Sequence, residues 1–114
     1  MAKVIAIHEY ELLPGVSVEA VDRLLAATPF PTLAGWKTSY AKGERGERIG
    51  KYIMIHEFES TEIRDRYFPS EGGEAGVEVQ DLFTNPDLDA FVRAWDKLAT
   101  PLLKAVYTDY IEIS

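Results

Sequence analysis

Residues 5–11 read IAIHEYE and residues 53–59 read IMIHEFE; S-x-E-x-x-D-R follows each copy, at Ser17 to Arg23 and at Ser60 to Arg66. Each copy begins with an apolar alternation of period two, the pattern of a strand. A serine then stands where a helix needs an N-cap, with a glutamate in the first turn. The chain therefore reads as two related β-α halves. The repeat also places its two histidines, His8 and His56, at equivalent points of two strands.

The remaining elements follow from breakers and periodicity. Val4 to Leu12 alternates as a first strand and is broken at Pro14-Gly15. Val18, Val21, Leu24 and Leu25 form the apolar stripe of a first helix, and Thr28-Pro29-Phe30-Pro31 ends it, since a residue before proline resists the helical conformation. A second strand runs from Gly35 to Lys42, with Trp36, Thr38 and Tyr40 on one face. The polar stretch from Gly43 to Arg48 is a hairpin tip. A third strand covers Lys51 to Phe58, with Tyr52, Met54, His56 and Phe58 on one face. Ser60 caps a short helix that stops at Tyr67. Residues 70–86, with three glycines, read as a long loop carrying a short extended piece at Val77 to Leu82. A last helix starts at Pro86 or Asp87, with Leu88, Phe91, Val92, Trp95 and Leu98 as its stripe, and Val106 to Ile113 is a final strand.

With 114 residues the chain makes one domain, 1–114. A net charge of −7 disfavours nucleic acid and anionic membrane surfaces, which need concentrated Lys and Arg. No apolar run approaches the roughly 20 residues of a membrane span, and no signal peptide is expected, so the expected location is cytoplasmic. With 0 cysteines, disulfides, thiolate nucleophiles and cysteine-based zinc sites drop out. The glycines match no phosphate-binding fingerprint, and no nucleophile elbow is present. No cofactor is expected.

The order β-α-β-β-α-β, with right-handed crossovers, points to a ferredoxin-like α+β domain: an antiparallel sheet with helices on one face. Strands one and three are then adjacent, and diagonal residues on such a pair come within about 7–8 Å. His8 and His56 are expected to be neighbours. The β-branched Ile5, Ile7, Ile53 and Ile55 are assigned to the helix side. The opposite, open face would then hold the histidines with Tyr10, Trp36, Tyr40, Met54 and Phe58. So large an apolar surface calls for a cover, and a homodimer formed through the open sheet face supplies one.

Over nearly its whole length this pattern resembles the dimeric α+β barrel superfamily, and within it EthD-like proteins and antibiotic-biosynthesis monooxygenases; the EthD-like cue is the lengthened segment FPSEGGEAGVEVQDLFTNP. The resemblance implies a homodimer with a ligand-sized cavity in each barrel. It does not select a reaction, because one fold carries many functions.

His8 and His56 are the candidate catalytic acid/base pair, since imidazole titrates near neutral pH. Tyr10, Trp36, Tyr40, Met54 and Phe58 are the candidate substrate-binding residues, an aromatic lining with a few polar groups. The expected ligand is a hydrophobic or aromatic small molecule, and the expected chemistry, if any, a cofactor-free oxygenation (a monooxygenase) or isomerisation. The alternative is a non-catalytic module of structural or stress-related role, its interior filled by these same side chains. A metal site is not expected: His8-Glu9 and His56-Glu57 are adjacent on strands and point to opposite faces. Arg23 and Arg66 are the expected partners of Glu9 and Glu57. Asp81 is expected near the cavity mouth, one of Tyr107 and Tyr110 inside it, and Trp95 in the core.

Overall fold

The alternation at the N-terminus becomes β1 (Val4–Tyr10), and the copied alternation becomes β3 (Tyr52–Phe58); the two pair antiparallel at the sheet centre, Ala6 opposite His56 and His8 opposite Met54. This computed structural model describes residues 2–28 and 32–114. With β2 (Trp36–Lys42) and β4 (Val106–Ile111) on the flanks, the sheet has four strands in the order β2-β3-β1-β4. The helices α1 (Val18–Ala27), α2 (Thr61–Tyr67), α3 (Val77–Leu82) and α4 (Pro86–Asp96) pack on one face, making the α+β ferredoxin-like domain.

The caps are where the sequence puts them. Ser17 accepts a hydrogen bond from the Ala20 N–H and Ser60 from the Ile63 N–H, each satisfying a donor that the first helical turn leaves unpaired. Asn85 caps α4, with Pro86 at a first-turn position. Thr28 follows the last residue of α1; Pro29, Phe30 and Pro31, read as its terminator, lie outside the described residues.

Two expectations are corrected. The first is the segment Val77–Leu82, expected to be extended, which is α3. Val79 is buried, and Leu82 and the C-cap Phe83 are partly buried against the same cluster, a spacing of three and four that suits a helix, while Val77 faces solvent. Gly76 lets α3 dock on α2, because a Cβ there would lie 2.6 Å from the Arg66 carbonyl oxygen.

The second correction concerns the sheet faces, and it matters more. The helices cover the aromatic and histidine face, not the isoleucine face: Val4, Ala6, Tyr10, Trp36, Tyr52, Met54, His56 and Phe58 are all buried, and Ile5, Ile7, Ile53 and Ile55 are half-exposed on the open side. Both imidazoles lie beneath the protein's own helices, so the aromatic rings around them need no second subunit as a roof. Charge explains the choice. Glu9, Glu57 and Lys37 share their strand face with the isoleucines, and a buried charge without a partner is costly. On the open side those charges reach water and cations: Glu57 pairs with Lys3 at 3.4 Å and Glu9 with Arg48 at 3.1 Å. The expected partners Arg23 and Arg66 are not used; Arg66 forms a two-pronged pair with Glu78 at 2.7 and 2.8 Å.

The helix side holds two core clusters. One gathers Tyr10, Tyr52 and Met54 under Leu88, Phe91 and Trp95 of α4. The other gathers Val4, Ala6, Trp36 and Phe58 with Tyr67 and Val79. Trp95 is a core residue, its ring edge-on to Tyr10 at 5.0 Å and its Nε1–H donating to the Thr100 carbonyl. The histidine pair sits on the seam between the clusters.

Candidate functional site

A cavity of about 900 Å3 opens along that seam, between the sheet and the segment that follows α2. Its floor is Ala6, His8, Met54, His56 and Phe58, flanked by Trp36 and Tyr10. Val79 and Phe83 close it from the helix layer; Arg64 and Asp65 of α2, with Tyr107 and Asp109 of β4, form a polar wall. The exposed stretch Ser70 to Gly73 lies at its mouth.

Strand pairing brings the imidazoles together. His8 and His56 occupy diagonal positions of β1 and β3, and their rings meet edge to face with centroids 5.0 Å apart. His56 is 8% exposed. Its Nδ1 accepts from the Trp36 Nε1–H at 3.0 Å, and the Thr38 hydroxyl lies 2.9 Å from the same nitrogen. Burial, with the neighbouring His8 ring adding to it, pulls the His56 pKa down to about 3. His8 is half-buried and stacks on Tyr107 at 5.1 Å with the planes 16° apart. Burial lowers its pKa as well, opposed by the Asp109 carboxylate. Asp109 is in turn held by Arg64 Nη1 at 2.6 Å, which ties α2 to the edge strand β4.

Of the expected binding residues, Tyr10, Trp36, Met54 and Phe58 line the cavity and Tyr40 does not. Tyr40 tilts against Phe91 of α4 at 6.3 Å. Its hydroxyl is, among the described residues, the buried side-chain polar atom with no hydrogen-bond partner. An orphaned buried hydroxyl costs about 1–3 kcal/mol. Tyr40→Phe is therefore expected to raise folding stability by about 1 kcal/mol, read as a higher urea midpoint at constant m; a loss of that size would show that the hydroxyl is engaged. Tyr10, by contrast, directs its hydroxyl to the Leu102 carbonyl at 3.3 Å. Asp81 sits on α3, exposed and away from the cavity lining. Tyr107 is the tyrosine of β4 that lines the cavity, and Tyr110 lies in the opposite row beside Ile5.

Thr38, Arg64 and Asp65 were not singled out by the sequence. Thr38 shares its strand face with Trp36 and Tyr40, and that parity was the signal for it. Arg64 occupies a variable position of the S-x-E-x-x-D-R pattern, where the first copy has Val21, so the repeat drew attention to Arg66 instead. No group of three or more His, Asp or Glu among the described residues is placed to hold a metal ion. No helix among them is long and apolar enough to cross a membrane.

No protein-family model matches the sequence, and no curated protein matches it. Solved structures do share the fold. An uncharacterized NIPSNAP-like domain protein from Burkholderia xenovorans aligns over 98% of this chain and 84% of its own, at 15% identity and a TM-score of 0.59. SnoaB, a cofactor-independent oxygenase from Streptomyces nogalater, aligns over 100% and 96%, at 11% identity and a TM-score of 0.50. A NIPSNAP family protein with unknown function from Agrobacterium tumefaciens aligns over 96% and 86%, at 17% identity and a TM-score of 0.50. What these proteins share with this chain is the fold, a four-stranded antiparallel sheet with its helices on one face. These likenesses concern the fold and do not bear on the narrower resemblance to EthD-like proteins.

Proposed function

We propose that this protein binds a hydrophobic or aromatic small molecule in the cavity between its sheet and its helices, and that the histidine pair serves a cofactor-free oxygenation or isomerisation of it. The observation that carries this reading is the cavity itself: about 900 Å3, walled by Trp36, Phe58 and Tyr107, with two imidazoles in its floor. An aromatic ligand gains from such rings by stacking, and a few polar groups orient it. Removing a proton from an acidic phenol or enol leaves an electron-rich anion. That anion can be reprotonated elsewhere, giving isomerisation, or can reduce dioxygen, giving oxygenation. SnoaB, of the same fold, carries out an oxygenation without a cofactor.

A thermal-shift screen with phenols and aromatic acids tests the reading. A true ligand present at about 100 times its Kd stabilises the fold by about 2.7 kcal/mol. His8→Ala and Phe58→Ala are expected to weaken that stabilisation. The rival reading, a non-catalytic module of structural or stress-related role, draws support from Tyr10, Tyr52, Met54 and Trp95, which fill the space under α4. It expects no stabilisation by any aromatic compound.

The same proposal includes a homodimer formed through the open sheet face, now for a different reason. Ile5, Ile7, Ile53 and Ile55 make a half-exposed aliphatic patch, extended by exposed Val106 and Tyr110 on β4 and bordered by the Lys3–Glu57 and Arg48–Glu9 pairs. A patch of this kind, self-complementary about a two-fold axis, suits isologous pairing. The wild-type protein is expected to sediment as a dimer at micromolar concentration. Ile55→Asp is expected to weaken association at least about tenfold, since a buried unpaired charge costs more than 1.4 kcal/mol. A monomeric wild type with an unaltered fold would remove the dimer from the proposal and leave the cavity reading standing.

A further inference from the structure

The two imidazoles are not chemically equivalent. An indole N–H can only donate, so the 3.0 Å contact from Trp36 Nε1 obliges His56 Nδ1 to accept. The Thr38 hydroxyl, 2.9 Å from the same nitrogen, must then donate to it as well. A nitrogen receiving two donors holds no proton, and a neutral imidazole has one to place. His56 is therefore the Nε2–H tautomer, with its basic lone pair occupied. Taking a second proton would require expelling the Trp36 N–H inside a buried site. His8 differs on each point. No hydrogen bond to its ring is found among the described residues, and it lines the same cavity; burial lowers its pKa, but the nearby Asp109 carboxylate opposes that shift, whereas burial and the His8 ring both lower that of His56. The groups facing His8 are His56 from β3, Tyr107 and Asp109 from β4, and Arg64 of α2 through its ion pair with Asp109.

We propose that His8 is the proton acceptor of the cavity, for a phenol or enol hydroxyl of the ligand, and that His56 is a positioning residue fixed as the Nε2–H imidazole by Trp36 and Thr38. The proposal rests on the reading of the cavity as a ligand site. In the step itself the ligand O–H bond breaks, its electron pair stays on the oxygen, and the proton joins a His8 ring nitrogen. The resulting imidazolium lies between the new anion and Asp109. His56, held neutral, braces the His8 ring edge to face without competing for the proton.

Long-range 1H–15N spectra of the imidazoles, recorded against pH without ligand, test the assignment of His56. A single Nε2–H form that does not titrate near the ordinary 6.5 is expected; an Nδ1–H form, or titration at that value, overturns it. Trp36→Phe is expected to release His56 into a tautomer mixture and raise its pKa, which a purely structural role for Trp36 would not do. For the acceptor role, 4-nitrophenol is the probe, because its phenolate is coloured and its phenol is not. At a pH below the probe's own pKa, the wild-type complex is expected to hold about tenfold more phenolate than free solution, a shift of one unit. His8→Gln is expected to bind the probe and leave it protonated. Equal ionisation in wild type and His8→Gln overturns the acceptor role while the cavity reading stands. No binding by the wild type overturns the cavity reading and the acceptor role with it.

Discussion

Replacing Trp36 with alanine is expected to cost about 3–5 kcal/mol, the range for deleting a large buried ring. Trp36 is 4% exposed and links the second core cluster to the cavity. Its ring stacks on Phe58 at 5.5 Å, tilts against Tyr67 at 5.8 Å and stands edge-on to Phe68 at 5.7 Å. Truncation empties that space and withdraws a donor from His56 Nδ1. A domain of this size has about 5–15 kcal/mol to lose, so the variant should lie close to unfolding at room temperature. Trp36→Phe keeps most of the stacking and should cost about 1–2 kcal/mol, near the value of a hydrogen bond to a buried group. Urea denaturation with an unchanged m separates the two. A loss under about 1 kcal/mol for Trp36→Ala would mean that the hub does not hold the cluster together.

Mild acid should weaken the fold through the same network. In the unfolded chain a histidine takes its proton near 6.5, and folded His56 does so only near about 3. Between those values the unfolded state binds the extra proton, so stability rises with pH by up to about 1.4 kcal/mol per unit. The contribution is fully present above pH 6.5 and is lost progressively as pH falls toward 3. His8 is lowered in the same direction and adds to the effect. Between neutrality and about pH 5, above the range where carboxylates titrate, His56 alone should remove about 2 kcal/mol. The urea midpoint should fall accordingly, and His56→Gln should flatten the slope. A wild-type midpoint that does not move over this interval would show that His56 gains its proton as easily folded as unfolded.

Local rules account for the legible part of the molecule. Ser17, Ser60 and Asn85 cap helices because a side-chain oxygen there meets a backbone N–H two or three residues on. The twin IHE strands pair because matched alternation lets each bury one side. Two kinds of feature were not legible. Helix α3 has six residues, too few for its period to stand out from the apolar alternation Val77-Glu78-Val79. The cavity wall joins Arg64 of α2 to Asp109 of β4, and Trp36 meets His56 across β2 and β3; neither pairing is local in the chain. Tyr40 appeared equivalent to Trp36 by parity, yet α4 claims its ring and only Trp36 reaches the histidines.

Period, caps and the internal copy were sufficient to define the strands, their antiparallel pairing and the closeness of His8 to His56, because each depends on spacing along one or two segments. Which side of the sheet the helices would cover was settled only in three dimensions. Both sides carry apolar residues, and the isoleucine side also carries Glu9, Glu57 and Lys37, whose charges must reach water. That one choice puts the imidazoles under the protein's own helices and turns the isoleucines outward.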